Sequence, residues 1–395
     1  MQNNASAGIF TTQFWLLGLS SFLFSSSFNM LIPELPGYLS TMGGGDYKGA
    51  IIGLFTLTAG LSRPFSGRLT DRIGRVPVMA FGSLVCFVCG FLYPVFTTVM
   101  PFLLLRLVHG FSTGFKPTGT SAYVADIVPA NRRGEAMGIH GMCMGVGSAF
   151  GPAIGSLISQ AFSLNALFYT SSFFAFLSIA ILLNMKETLK EKQRLSVDAF
   201  KITRRDIFEP DVLSPALITF LCYFGYGAVS TVTPDFSTYL GLTNRGYYFM
   251  VFTLFSILIR LFAGKISDQH GRMPVTIAGC CVLTCAMIIT GYADSITLFL
   301  IGAAFFGMAM GILSPVLSAW TVDLSGDNNR GRAIATMFIS LEAGIGLGAF
   351  LSAGLFKNQR ENLPLVFFSM AGFALAALAY TVTIYQFKKR RTRAV

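Results

Sequence analysis

Charge is scarce in this sequence. Asp, Glu, Lys and Arg make up 12% of its 395 residues, against about a quarter in an ordinary soluble protein. Cysteine is sparse and odd in number: seven residues, all inside apolar stretches. "CFVC" at 86–89 has zinc-like spacing but no matching second pair, so the cysteines read as small buried apolar residues. No H-E-x-x-H, P-loop or nucleophile elbow occurs in a usable context, and an enzyme is not expected. The ten-residue alternating segments of a transmembrane barrel are missing, which leaves helices as the way to cross a bilayer. The first ten residues lack a basic n-region, so no cleaved signal peptide is expected.

Apolar runs are present from end to end. Hydrophobic residues make up 53% of the chain, in stretches of roughly 20, long enough to cross a hydrocarbon core about 30 Å thick. Twelve spans are expected, near 13–36, 49–67, 76–97, 99–125, 135–160, 164–184, 213–237, 246–264, 273–292, 295–322, 331–355 and 363–387. The 39 phenylalanines suit lipid-facing helix surface. The fold class is therefore an all-α integral membrane protein.

The formal net charge of +11 raises the question of nucleic acid. Its distribution argues for a membrane instead. With the N-terminus placed inside, 21 of the 29 Lys and Arg fall in the inner loops and tail, and four in the outer loops. That asymmetry is the positive-inside pattern, and both termini are expected in the cytoplasm of a bacterial inner membrane. The basic tail "KKRRTR" suits contact with anionic lipid head groups.

The chain also repeats itself. "GRLTDRIGRVPV" begins at Gly67 and "GKISDQHGRMPV" at Gly264. A shift of 197 matches nine of 18 residues between 61–78 and 258–275, among them Arg63, Gly67, Asp71, Gly74 and Arg75 with Arg260, Gly264, Asp268, Gly271 and Arg272. It also carries Gly110 to Gly307, Asp126 to Asp323, Asn131 to Asn328, Gly147 to Gly344 and Gly151 to Gly348. Two parallel six-helix halves are expected, 1–184 and 213–395, joined by a charged cytoplasmic linker at 185–212. Such halves, related by an axis along the membrane normal, are a transporter architecture with its site between them. Glycines in the repeated phrase allow a tight turn and close helix approach. The aspartate lies where it can meet the arginine four residues on, and a surface ion pair that breaks and re-forms can latch one arrangement of the halves. A reading of the arginines as topology signals alone leaves the aspartate and glycines unexplained.

The repeated phrase resembles the loop signature of the major facilitator superfamily, G-x-x-x-D-x-x-G-R. "LLLRLVHGFSTG" (103–114) is similar to that family's fourth-helix motif through Arg106 and Gly110, and departs from it at His109, Ser112 and Thr113. "GVGSAFGPAIG" (145–155) resembles the fifth-helix antiporter motif through Gly147, Gly151, Pro152 and Gly155, and so implies the drug:proton antiporter branch and export. The resemblance implies that Asp71 and Arg75 interact with Asp126, and Asp268 and Arg272 with Asp323. It also implies that spans one, four, seven and ten line a central cavity.

Intramembrane charges are costly and usually face a cavity or a partner. Glu342 lies about 11 residues into its span, and Lys116, Arg106 and His109 lie in the fourth span; Glu34 and Asp235 fall near outer span ends. Asn29 occupies a position that the resemblance makes acidic in some drug:proton antiporters, so coupling must use another group. Glu342 is the first candidate and Glu34 paired with Arg106 the second, with His109 and Asp235 as further titratable groups. Competing readings are solvated helix ends for Glu34 and Asp235, a structural pairing of Glu342 with Lys116, and a hydrogen-bonded structural role for His109. Lys116 would bind an anionic group or lock an inner gate. Phe28, Tyr223, Phe224 and Tyr226 would line the cavity for an amphipathic organic molecule.

The expected protein is a monomeric secondary transporter. It takes a small-molecule substrate, uses protons as its energy source, needs no cofactor or metal and binds no nucleic acid. Alternatives are a sugar, siderophore or lipid carrier of the same fold, or a non-transporting membrane receptor or scaffold.

Overall fold

The computed structural model describes residues 11–129, 133–189, 209–325 and 330–393. Most of the linker, the repeat pair Asn131 and Asn328, and the side chains at the end of the basic tail lie outside the described residues.

The first half begins with α1 (Thr12–Asn29), whose N-terminus is capped by the Thr11 hydroxyl accepting from the Phe14 amide at 3.3 Å. Pro33 and Pro36 lie just beyond it. The expected span 13–36 accordingly breaks in a turn after Asn29 and resumes as the short α2 (Leu35–Thr41), because proline lacks the N–H that a continuous helix needs. Four longer helices follow: α3 (Lys48–Arg72), α4 (Arg75–Leu92), α5 (Val99–Ile127) and α6 (Arg133–Ala161). The half ends with α7 (Leu164–Leu183), capped by Ser163. The second half comprises α8 (Leu213–Tyr239), α9 (Tyr247–His270), α10 (Arg272–Gly291), α11 (Ile296–Leu324), α12 (Arg330–Phe356) and α13 (Leu363–Arg393).

Nine of these helices are, among the described residues, long and apolar enough to cross a membrane. The remaining long ones are α1, α3 and α5. They bury many polar groups: Ser20, Ser21, Ser25, Ser26, Ser27 and Asn29 on α1, Thr56, Ser62 and Ser66 on α3, and Arg106, His109, Ser112 and Lys116 on α5. Those groups lower the mean hydropathy; Ser27, Ser66, Arg106 and Lys116 bond neighbouring helices, and Thr56, Ser62 and Ser112 bond carbonyls of their own helix. Twelve long helices thus run between two faces, in line with the expected twelve spans.

The repeat carries through to the packing. A Cβ at Gly110 would strike the Phe55 carbonyl, and one at Gly307 would strike the Phe252 carbonyl, the residue 197 further on. Gly147 and Gly344 likewise press on the backbones of α1 and α8. The turns before α4 and α10 both pass through a positive-φ glycine, Gly74 at 136° and Gly271 at 89°, where an L side chain would be strained. The structure is two pseudo-symmetric six-helix bundles, and they meet along two seams, α3 against α12 and α6 against α9.

Candidate functional site

One face of the molecule carries the start of α1 and the end of α13; it is called the terminal face here. At the opposite face the halves are tied together. Lys48 at the start of α3 pairs with Asp235 on α8 at 2.8 Å. Glu34 pairs with Arg245 at 3.2 Å and accepts a short hydrogen bond from Ser156. The Asn244 amide donates to the Ala153 carbonyl at 3.0 Å, and Gly246 packs so tightly on Pro152 and Ala153 that a Cβ there would overlap their backbone.

Deeper along the α3–α12 seam, Arg63 donates to the Glu342 carboxylate at 2.9 Å and lies over the Phe338 ring at 4.3 Å. Both side chains are about nine-tenths buried. Among the described residues, three ion pairs join the halves: Lys48–Asp235, Glu34–Arg245 and Arg63–Glu342. Toward the terminal face the seams loosen. A Cβ at Gly67, Gly138, Gly141 or Gly264 would meet nothing within 4 Å.

The repeated phrase forms a charge cluster in each half, as the resemblance implies. Arg75 meets Asp126 at 2.9 Å and Asp71 at 3.5 Å; Arg272 meets Asp323 at 2.7 Å and also Asp268. Each cluster lies within its own half. In the first half Glu187, just after α7, caps α4 by accepting from the Arg75 and Val76 amides at 3.0 and 3.1 Å. A carboxylate there also complements the positive end of the helix dipole.

Several expectations about side chains require correction. Glu34 does not pair with Arg106. Arg106 is fully enclosed in the first half, where it donates to the Ile51 carbonyl and the Tyr93 hydroxyl and lies over the Phe55 ring. His109, also fully buried, bonds the same Tyr93 hydroxyl at 2.9 Å; it is a hydrogen-bonded member of this cluster. Lys116 neither faces the space between the halves nor reaches Glu342. Its ammonium is held by the Ser20 carbonyl and hydroxyl, the Ser178 hydroxyl and the Phe24 ring, which lies 4.8 Å away. The helix face that carries Lys116 turns toward α1 and α7, where those serines offer oxygen. Phe224 is buried and stacks on Phe373 of α13 at 4.1 Å, within the second half. Phe28 lies between Phe24 and Phe55 of its own half. Asn29 donates to Ser25 and to Ser148 of α6 at 3.2 Å.

Tyr223 and Tyr226 do line a cavity between the halves. It holds about 280 Å³ and is shared by Ser148 and Gly145 of α6 with Phe252, Thr253, Ser256 and Arg260 of α9 and Met310 and Ser314 of α11. The antiporter glycines perform close packing. Gly147, Gly151 and Gly155 lie against the backbone of α1 from Phe22 to Met30, and Pro152, within α6, sits where that helix meets Gly246. Sequence reasoning missed Arg63, Lys48, Arg245 and Glu187 as partners. The signal for Arg63 was available, since it is one of the nine residues repeated at the 197 shift.

The model of the Major Facilitator Superfamily matches residues 17–293 and 216–394. Multidrug resistance protein 2 of Bacillus subtilis is 24% identical over 399 residues, covering 97% of this chain and 98% of that protein. Quinolone resistance protein NorA of Staphylococcus aureus is 22% identical over 365 residues, covering 88% of this chain and 91% of its own. Among solved structures, a D-xylose-proton symporter superposes with a TM-score of 0.76 at 17% identity, covering 93% of this chain and 96% of that one, a likeness of fold.

Proposed function

The chain belongs to the Major Facilitator Superfamily and is an integral membrane transporter, and from that premise we propose that it exports small amphipathic organic molecules in exchange for protons. The two bundles would move against each other about the site between them, as monomers in a bacterial inner membrane with the terminal face in the cytoplasm. The excess of Lys and Arg at the terminal face supports that orientation. The full-length similarity to proteins named for multidrug and quinolone resistance supports the export reading.

The observation that carries proton coupling is the placement of Glu342. It is a buried carboxylate at the seam, and its cationic partner, Arg63, belongs to the other half. Protonating Glu342 cancels the attraction across the seam, so proton occupancy and the arrangement of the halves are linked in free energy. The apolar wall of the cavity, with Tyr226, Phe252 and Met310, suits flat organic ligands.

The test is efflux of ethidium from proteoliposomes with and without an imposed pH gradient. Wild-type protein is expected to respond to the gradient. Glu342→Gln is expected to keep counterflow exchange of ethidium while losing that response; an undiminished response would move coupling to another group.

A further inference from the structure

The 197-residue shift relates the two seams as well as the two halves. It carries Arg63 to Arg260 and Gly145 to Glu342. On the α3–α12 seam the pair Arg63–Glu342 is complete. On the α6–α9 seam the arginine is kept as Arg260, while glycine stands where the acid would be. Both Gly145 and Arg260 line the 280 Å³ cavity between the halves. Among the described residues no carboxylate lies within ion-pair distance of Arg260, whose side chain is exposed to the cavity.

An arginine within a membrane-spanning helix is rare, and such residues face a cavity or a partner and mark ligand paths. Its surroundings are those of a recognition site. Ser148, Ser256 and Ser314 bring serine side chains to the same walls. Tyr223, Tyr226 and Phe252 supply ring faces. Donors lining a cavity favour a ligand that completes them and penalise one that does not.

We infer that Arg260 is an anion-recognition residue of the transport site, and that the carboxylate of an aromatic organic acid takes the place of the side chain that Gly145 lacks. Two parallel N–H donors match a carboxylate, and the aromatic portion lies against Tyr223, Tyr226 and Phe252. The inference deepens the transport reading and rests on it: the exported molecules include aromatic carboxylates and zwitterions.

The test compares 1-naphthoate with its neutral isostere 1-naphthamide, titrated calorimetrically into the full chain in phosphatidylcholine nanodiscs. Wild-type protein should bind the acid at least about tenfold more tightly than the amide. Arg260→Gln should weaken the acid about tenfold and leave the amide within about twofold, with Arg260→Lys intermediate. Gly145→Glu, which tethers a carboxylate in the vacant position, should also abolish the preference; its Cβ would meet only the Ile257 side chain, at 3.3 Å. Equal binding of acid and amide by wild type, or equal losses in Arg260→Gln, overturns the assignment. Loss of the preference in phosphatidylglycerol nanodiscs would make the occupant a lipid head group and overturn it as well. Ethidium efflux separates this inference from the reading beneath it. Gradient-driven efflux without naphthoate preference removes the Arg260 assignment alone, and naphthoate preference without gradient-driven efflux removes the export reading alone.

Discussion

Arg63 on α3 and Glu342 on α12 form an ion pair 2.9 Å long across the seam between the two bundles. Each side chain is about nine-tenths buried, so each depends on the other to offset its desolvation. Removing one partner of such a pair leaves an uncompensated charge and costs about 3–5 kcal/mol, whereas replacing both is far milder. Arg63→Met is therefore expected to lower the melting temperature by several degrees, and Arg63→Met/Glu342→Gln to recover most of the loss. Thermal unfolding of the two purified variants checks this. A double variant no more stable than the single one would mean that the pair is not the source of the effect.

The opposite face is closed by Lys48–Asp235 and Glu34–Arg245. Replacing both acids by Asp235→Asn and Glu34→Gln removes two contacts present in this arrangement. At about 1 kcal/mol each for partly exposed pairs, the population should shift by roughly tenfold or more toward opening at this face. Spin labels on α2 and α9 would report longer distances in the double variant. An unchanged distance distribution would mean that the glycine packing, and not charge, keeps the face shut.

The two carboxylates of the first-half cluster are not equivalent. Asp126 sits 2.9 Å from Arg75, while Asp71 is 3.5 Å away and three-quarters exposed. In this arrangement Asp126→Asn should reduce thermal stability more than Asp71→Asn, whose effect on stability should stay within about 0.5 kcal/mol. Asp71→Asn should nonetheless slow turnover if its carboxylate engages in a different arrangement of the bundles. Melting temperature and efflux rate, measured on both variants, separate these roles; identical effects of the two substitutions on both readouts would contradict the ordering.

Lys116 marks the boundary between what local sequence pattern encodes and what helix packing decides. The repeat, the two bundles and the clusters Arg75–Asp126 and Arg272–Asp323 all follow from one local pattern written twice. Local spacing also placed Tyr223 and Tyr226 near the cavity. It could not distinguish them from Phe224, because one residue rotates a side chain by about 100° around a helix. Partners on other helices were hidden for the same reason: Glu342 met Arg63, not Lys116, because α3 and not α5 crosses α12. A lysine in an apolar run signals a functional charge only if no neighbouring helix offers oxygens, and here the serines of α1 and α7 do. Lys116→Ala is accordingly expected to impair 1-naphthoate and 1-naphthamide binding equally, through loss of packing, with a lowered melting temperature. A selective loss of the acid would return Lys116 to the binding site.

The small residues of α6 differ in what they touch. Gly155 lies so close to α1 that a Cβ would run into the Met30 carbonyl oxygen, a backbone atom that cannot rotate away. Gly138, on the same helix near the terminal face, faces open space. Gly155→Ala should therefore push α6 off α1, at a cost of about 1–3 kcal/mol for overpacking. Gly138→Ala should be neutral or slightly stabilising, by up to about 1 kcal/mol through helix propensity. The two substitutions make the same chemical change on one helix, so any difference between them reports the contact and not the residue type. If α6 slides on α1 during transport, Gly155→Ala should also reduce the efflux rate by more than its stability loss alone would produce at a temperature well below unfolding. Equal melting temperatures for the two alanine variants would show that the α1–α6 approach is looser than the packing of Gly155 on Met30 requires.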